Sequence, residues 1–197
     1  MKVENHEFSA NHLGKEWLRK KIDGNFCELF SEFNSAIELN CAEELKWFNG
    51  LYGYTTYDSV QYFETIQLQN PPAPSAIPFM QYSFYRFIIA INHFNDEMIL
   101  IENLEAGQSS RIDEIKTIID AQSFNTQDFE MIGEESSNCT DDDFRGYVTK
   151  AKSHCKRGDV FQLVLSRQFQ QSFKGDEFNV YRALRSINPS PYLFYFD

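Results

Sequence analysis

The sequence has few cysteines, and none of them belongs to a paired motif. The four are Cys27, Cys41, Cys139 and Cys155, and no two show CxxC spacing or the spacing of a disulfide framework. This pattern predicts reduced, partly buried thiols in a cytosolic protein. His154 precedes Cys155, but adjacent residues of a helix point in different directions, so we do not expect this pair to bind a metal ion or to catalyse a reaction.

Long apolar runs are also missing. The most apolar segment, residues 87–91, is far shorter than the roughly 20 residues of a membrane span, and it follows Arg86. The first ten residues contain no apolar core of a secretory signal. We therefore expect a cytoplasmic location.

Basic residues are outnumbered by acidic ones. The chain has 18 Lys and Arg against 29 Asp and Glu, which gives a formal net charge of −11. Such a surface repels phosphate backbones and anionic lipids, so we expect neither a nucleic acid nor a membrane as a partner. Apolar residues (42%) and aromatic residues (16%) are plentiful, which predicts a folded chain with a buried core.

Common catalytic fingerprints are absent from the sequence: GxSxG, the P-loop, GxGxxG and HExxH. Residues Asp141–Asp143 offer three carboxylates that could hold a metal ion. They stand at a predicted helix start, where acids complement the helix dipole, and we favour that interpretation. His6, His12 and His93 lie near a terminus or a strand end and are interpreted as structural.

The first part of the chain shows alternating and helical patterns of apolar residues. Residues 2–8 resemble a strand, and Leu51–Tyr52 form the centre of a second one. Thr55 can cap a helix, with Asp58 as its capping-box partner. A helix within residues 24–40 is predicted from apolar residues spaced by four, three and four: Phe26, Phe30, Phe33 and Ile37.

Four of the six prolines lie between residues 71 and 78, which predicts an extended surface connection. Residues 84–93 are almost continuously apolar and predict a central strand. Residues 96–103 are its expected hairpin partner, with the turn at Asn95-Asp96. A following amphipathic helix is predicted from Ile112, Ile115, Ile118 and Ile119.

Residues 133–143 form a polar stretch that we interpret as the domain boundary, dividing the chain into residues 1–139 and 140–197. Thr140 then caps a helix that ends at Gly158. Its predicted buried stripe consists of Phe144, Tyr147, Val148, Ala151 and Cys155.

Three further elements are predicted after this helix. Residues 159–169 resemble a strand, and residues 177–187 a helix that stops at Asn188-Pro189. Residues 191–197 resemble a strand that ends abruptly on aromatic residues, so we expect that the chain has been cut within a fold. The helix is predicted to bury Phe178, Tyr181, Leu184 and Ile187.

The segment INPSPYLF, residues 187–194, carries the most unusual local chemistry. Pro189 and Pro191 fix their own φ angles and restrain the residues before them, which predicts stiff, extended backbone with unpaired carbonyls. Such backbone suits an ammonium group, with Tyr192 and Leu193 as apolar walls. On the residues alone, a rigid helix-to-strand connection without a ligand is the preferred interpretation.

Several of these segments together resemble the anthranilate synthase component I family. RGDVFQLVLSRQF and YRALRSINPSPYLFYFD are similar to the start of its chorismate-binding region, and GLYGYTTYDSVQYFE to its glycine-rich strand and helix. IPFMQYSFYRFIIAINHF and DEMILIEN are similar to strands of its N-terminal domain. The resemblance runs from about Phe48 to Asp197 and implies an α+β fold of antiparallel sheets, packed as a sandwich with flanking helices.

The resemblance also implies an activity and partners. Members convert chorismate and ammonia, usually supplied from glutamine by an amidotransferase subunit (component II), to anthranilate and pyruvate with Mg²⁺. Tryptophan inhibits them by feedback at a separate site. The residues that the resemblance assigns to one wall of that site are Asn188, Pro189, Ser190, Pro191, Tyr192 and Leu193.

The sequence departs from the family pattern in three ways. The LLES-like tryptophan motif is absent, the catalytic His and Mg²⁺ ligands are absent, and Leu193 stands where Met is frequent. We therefore expect a fragment without catalytic residues that is inactive alone and self-associates through its aromatic end. A fragment of aminodeoxychorismate synthase component I and a non-catalytic regulatory module remain alternatives.

Overall fold

The computed structural model describes residues 1–68, 77–123 and 128–197. The chain divides into two compact units, Met1–Ser123 (unit 1) and Phe124–Asp197 (unit 2). Each contains helices and antiparallel strands, so the predicted α+β class with antiparallel sheets is confirmed. The predicted extended connection at residues 71–78 lies mostly outside the described residues.

Unit 1 contains a five-stranded antiparallel sheet whose order is β3-β2-β1-β5-β4. The chain reverses between its first two strands at Asn5 and His6, both of which have positive φ angles (51° and 59°). The predicted single strand over residues 2–8 is therefore wrong, because these residues form parts of two strands that are joined by a turn. The strands are β1 (Lys2–Glu4), β2 (Glu7–His12), β3 (Lys15–Lys21), β4 (Leu51–Thr55) and β5 (Met80–Phe84).

Helix α1 (Phe26–Ser35) packs on this sheet and supplies part of the core. It is shorter than the predicted range of residues 24–40. Its buried side chains are Phe26, Leu29 and Phe33, whereas Phe30 is 36% exposed. Leu29 and Phe30 flank the direction shared by Phe26 and Phe33 on opposite sides, and the Leu29 side is the one that is buried. The strands contribute the remaining core residues: Val3, Phe8, Ala10, Leu18, Ile22 and Met80.

Two short 3-10 helices, Glu43–Phe48 and Tyr57–Tyr62, flank β4. The predicted capping box of Thr55 and Asp58 is wrong. Strand β4 continues through Thr55, which pairs with Met80, and the Thr55 hydroxyl lies 2.8 Å from the Tyr82 hydroxyl.

A second sheet of unit 1 is the hairpin of β6 (Phe87–Asn92) and β7 (Glu97–Glu102). The predicted pairing is confirmed. The prediction of a central strand over residues 84–93 is wrong, because within the described residues β6 pairs with β7 alone and Phe84 belongs to β5. Helix α2 (Ile112–Ala121) follows as predicted and contacts β7.

Unit 2 contains β8 (Glu130–Ser137), α3 (Asp141–Arg157), β9 (Phe169–Lys174) and α4 (Phe178–Ile187). Helix α3 begins and ends as predicted. Thr140 and Asp143 form a capping box, and Gly158 ends the helix in the left-handed conformation (φ 80°). Helix α4 also ends as predicted, before Asn188.

Two local predictions for unit 2 are wrong. Residues 159–168 and 191–197 contain no strand, since neither segment has a neighbouring strand among the described residues. Within the polar stretch, residues 133–137 lie in β8, which pairs with β9. The domain boundary after residue 139 stays a prediction.

The predicted buried faces of α3 and α4 are also wrong, because no described residue of unit 2 is buried. Leu184 and Ile187 are 53% and 82% exposed. Among the helices that the structure describes, none combines the length and apolar character needed to cross a membrane.

Candidate functional site

The segment of residues 188–193 leaves the end of α4 as a tight turn. The Asn188 amide donates to the Leu184 carbonyl (2.9 Å), which completes the helix, and the Ser190 amide donates to the Asn188 carbonyl (2.8 Å). The expectation of unpaired carbonyls is therefore wrong for Asn188. Within the described residues, the carbonyls of Pro189 and Ser190 accept no hydrogen bond.

An aromatic cluster holds the following residues against the start of α4. The Tyr195 ring lies 5.1 Å from that of Phe178 and 5.8 Å from that of Tyr181, measured between centroids. Partial burial raises the pKa of Tyr195, and the nearby carboxylate of Glu177, which accepts a hydrogen bond from the Tyr195 hydroxyl (3.4 Å), adds to this. The position of the segment is thus fixed from both ends.

The side chains of the segment itself are exposed, with the exception of Leu193. Tyr192 is 88% exposed, while Leu193 is partly buried. Residues 188–192 are therefore accessible at the surface of unit 2. The assignment of these residues to a ligand site stays a prediction.

The three acids at the start of α3 each bind a different partner. Asp143 completes the capping box with Thr140, whose hydrogen bonds lower its pKa. The guanidinium of Arg167 lies 2.6 Å from Asp141 and lowers the pKa of that carboxyl. Asp142 pairs with Arg145 at 2.8 Å. These contacts agree with a capping role, and the three carboxylates do not converge.

At the other end of α3, a small charged cluster surrounds Asp159. Its carboxylate accepts hydrogen bonds from Arg157 (2.6 Å) and lies 2.8 Å from Nδ1 of His154, and both contacts lower its pKa. Cys155 is an exposed free cysteine. The interpretation that His154 and Cys155 do not act together stays a prediction.

Unit 1 contains a cleft of about 1250 Å³. It lies between the β2–β3 hairpin, the end of α1, strand β5 and the loop after β7. Trp17 stacks on Phe33 at one side of it, with 6.0 Å between ring centroids. His12 of the hairpin binds Glu105 of the loop at its rim. The cleft therefore offers both an aromatic surface and hydrogen-bonding groups.

A buried carboxylate anchors the loop that borders this cleft. The Glu102 side chain is 3% exposed and accepts hydrogen bonds from Arg86 (2.8 Å), Ser110 (2.5 Å) and the Arg111 amide (3.0 Å). Burial alone would raise the pKa of Glu102, but these hydrogen bonds outweigh it, so the pKa is lowered. The carboxylate is thus held in its charged form and ties residues 109–111 to β7.

Glu102 was not predicted from the sequence. The same holds for the amide pair of Asn49 and Asn103, whose side chains exchange two hydrogen bonds of 2.6 and 2.9 Å. The predicted pairing of residues 84–93 with residues 96–103 was a partial signal for Glu102, because it brings the outer ends of the two strands close together. The observed register places Phe87 opposite Glu102, next to Arg86. No sequence signal links Asn49 to Asn103, because they are 54 residues apart.

Comparison with known proteins gives a consistent result. A protein-family model described as chorismate binding enzyme matches residues 6–197. Anthranilate synthase component 1 of Acetivibrio thermocellus is 30% identical over 213 aligned residues, which cover 98% of this chain and 42% of that protein. The corresponding protein of Bacillus subtilis is 37% identical over 102 residues, which cover 52% of this chain and 19% of that one.

The fold comparison extends over the whole chain. The crystal structure of anthranilate synthase component I from Streptococcus pneumoniae superimposes with a TM-score of 0.69 at 23% identity. The alignment covers 100% of this chain and 45% of that one. This chain therefore spans less than half the length of the proteins to which it is similar.

Proposed function

Because this chain belongs to the family of chorismate binding enzymes, we propose that it forms part of an anthranilate synthase component I. The observation that carries the proposal is the match of residues 6–197 together with relatives of that name. The chain covers 42% of the first of these relatives, so the activity of the whole enzyme is assigned here to a longer assembly that includes this chain.

The proposed reaction converts chorismate and ammonia to anthranilate and pyruvate in the cytoplasm. The ammonia comes from glutamine through an amidotransferase subunit. The side chains that carry out the chemistry lie in the part of the family fold that this chain does not span. We therefore propose that this chain has no activity on its own.

Residues 188–193 serve as one wall of a tryptophan feedback site in this proposal. Tyr192 is 88% exposed and offers an aromatic surface to the indole ring. The carbonyls of Pro189 and Ser190 are available to the ammonium group of an amino acid. Pro191 keeps this backbone stiff, which limits the entropy lost on binding.

The family reaction also requires Mg²⁺. The described residues contain no group of three or more His, Cys, Asp or Glu side chains that could hold a metal ion. The donors present in the described residues therefore do not fit such a site.

A chimera tests the proposed activity. This chain replaces the matched part of the Acetivibrio thermocellus protein, and anthranilate fluorescence is followed with chorismate, ammonium and Mg²⁺. We expect turnover by the chimera and none by this chain alone. A folded chimera that forms aminodeoxychorismate, or no product, would contradict the proposal, as would turnover by the isolated chain.

The feedback site is tested in the same chimera. Ser190→Phe fills the proposed pocket, and Pro191→Ala loosens its wall. We expect both changes to weaken inhibition by tryptophan while the uninhibited rate is largely kept. Ser186→Phe, one turn earlier on the exposed surface of α4, is the matched control and should leave inhibition unchanged. Unaltered inhibition in both test variants would remove residues 188–193 from the feedback site.

A further inference from the structure

Asn49 and Gly50 form the one Asn-Gly pair of the sequence, and they lie directly before β4. The side-chain amide of an asparagine can be attacked by the backbone nitrogen of the residue that follows it. Glycine favours this attack because it has no Cβ atom that would hinder the approach. A Cβ atom at Gly50 would meet no atom within 4 Å, so the peptide also lies beside open space. The residue types and the space around them therefore permit ring closure at Asn49.

This reaction needs no reactant other than water. The Gly50 nitrogen forms a bond to Cγ of Asn49 and gives up its proton, while the bond between Cγ and Nδ2 breaks and ammonia leaves. Water then opens the five-membered imide at either of its two carbonyl carbons. The products are aspartate and isoaspartate, and in isoaspartate the main chain runs through the former side chain. Nothing is oxidised or reduced in either step.

The fold of unit 1 holds Asn49 away from this reaction. The backbone of Asn49 is extended (φ −115°, ψ 137°), so its peptide must rotate about the Cα–C bond before the Gly50 nitrogen can reach Cγ. The side-chain nitrogen of Asn49 donates to Oδ1 of Asn103 (2.6 Å), and its Oδ1 accepts from Nδ2 of Asn103 (2.9 Å). These two hydrogen bonds fix the amide that is attacked, and both must break before the ring can form.

Asn103 is itself held by the residues around the β6–β7 hairpin. Its backbone amide donates to the Arg86 carbonyl (2.7 Å), and its Nδ2 also donates to the Tyr85 carbonyl (2.9 Å). Both side-chain hydrogens of Asn103 are therefore in use, and its Oδ1 has the Asn49 amide as its donor. A carboxylate at position 49 only accepts hydrogen bonds, so Oδ1 of Asn103 would lose that donor. The pair therefore cannot close again after the reaction.

We propose that Asn49 is a modification site that deamidates through ring closure with Gly50, and that its pairing with Asn103 controls the rate. Opening of the pair frees the amide for attack, and the product keeps the pair open, so the change is permanent. Isoaspartate would also lengthen the main chain directly before the pairing of Leu51 with Phe84, and would disturb the start of β4. The inference rests on unit 1 alone and is independent of the proposed function.

Incubation of the full chain in mildly alkaline buffer tests the site. Peptide mass mapping follows the conversion of Asn49 to aspartate and isoaspartate, both in the native protein and in protein unfolded with guanidinium chloride. We expect conversion in the native protein to be slower by about tenfold or more, because a local opening must first break both hydrogen bonds. Equal rates in the native and unfolded protein would overturn the proposal.

Substitution of the partner tests the control of the rate. Asn103→Ala removes both hydrogen bonds to Asn49 and should accelerate its conversion in the native protein by about fivefold or more. Asn95→Ala, between the strands of the same hairpin, is the matched control and should leave the rate unchanged. An unchanged rate in Asn103→Ala, or equal acceleration by both substitutions, would contradict the role of Asn103.

Two further measurements separate local release from general unfolding. Asn34 precedes Ser35 at the end of α1, and its conversion in the same samples reports unfolding of unit 1. Acceleration of Asn34 by the same factor as Asn49 would show that Asn103→Ala unfolds the unit, and would overturn the proposal. Adding Gly50→Ala to Asn103→Ala places a Cβ atom at the attacking residue and should restore slow conversion. Rapid conversion in this double variant, or aspartate without isoaspartate in the single one, would exclude ring closure.

Discussion

Unit 1 and unit 2 stabilise their helices in different ways. In unit 1, α1 has no side-chain cap, yet it buries Phe26, Leu29 and Phe33 against a sheet. In unit 2, α3 has a complete capping box and a left-handed glycine at its end, but it buries none of its residues. Burial of a large apolar side chain contributes roughly 1.5–3 kcal/mol, whereas a cap contributes about 1 kcal/mol.

The two units are therefore sensitive to different kinds of substitution. Unit 1 depends on contacts between residues far apart in sequence, so changes within its core should act on the whole unit. The ends of helix α3 in unit 2 depend instead on contacts within a few residues, so changes at its cap should act locally.

Removal of a buried aromatic ring should show the difference in stability between the two units most clearly. Phe8 is completely buried and packs against Phe26 and Phe33. We expect Phe8→Ala to lower the free energy of unfolding by about 3–5 kcal/mol. The matched change Phe161→Ala, at a fully exposed ring, should alter it by less than about 0.5 kcal/mol. Urea unfolding followed by Trp17 fluorescence measures both, and equal effects would contradict the contrast.

A backbone contact within unit 1 should give the next largest effect. A Cβ atom added to Gly53 would lie 1.9 Å from the Gln81 carbonyl oxygen of the neighbouring strand. We expect Gly53→Ala to cost about 1–3 kcal/mol, because β4 must shift away from β5. Gly50→Ala meets no atom within 4 Å and is the control. Equal melting temperatures of the two variants would contradict the close approach of β4 to β5 at Gly53.

The buried carboxylate of unit 1 predicts a dependence on pH. The pKa of Glu102 is lowered from its ordinary value of 4.5, so its contribution to stability is present above pH 4.5 and is lost as the pH falls through the lowered pKa. We expect Glu102→Gln to lower the melting temperature at pH 7, with a deficit that narrows below pH 4.5. Glu97→Gln on the same strand is the control. A deficit independent of pH would exclude the charged carboxylate as the cause.

The helix cap of unit 2 should give the smallest effect. Thr140→Ala removes the hydroxyl that accepts from the Asp143 amide (3.2 Å), and we expect a loss of about 0.5–2 kcal/mol confined to α3. Hydrogen exchange of the first turn of α3 measures it. Thr149→Ala, in the interior of the same helix, should not accelerate exchange there. Faster exchange throughout unit 1 would show that the effect is not local.

Sequence reasoning succeeded where the determining contacts are local. Thr140, Asp143 and Gly158 lie within or beside α3, and their residue types alone predict where the helix begins and ends. The β6–β7 hairpin was predicted for the same reason, because only the four residues 93–96 separate its strands, although the turn was predicted at Asn95-Asp96 alone.

Prediction failed where a distant partner decides the structure. Residues 160–166 have a strand pattern but need a neighbouring strand, and composition cannot show whether one is present. The five-stranded sheet was not predicted either, because β1 pairs in it with β5, about 80 positions away in the sequence. For the candidate site, the residues predicted the stiff backbone at Pro189 and Pro191, but not the exposure of Tyr192, which depends on what packs against it.

The position of β1 in the middle of the sheet has a consequence for synthesis on the ribosome. Val3 pairs with Phe8 on one side and with Met80 on the other. The β1–β2 hairpin can form as soon as it emerges, but the sheet cannot close until residue 84 has left the exit tunnel. During that interval the apolar surface around Phe8 lacks Met80 as its cover. The nascent chain is therefore most exposed to chaperone binding while residues 23–79 are being made.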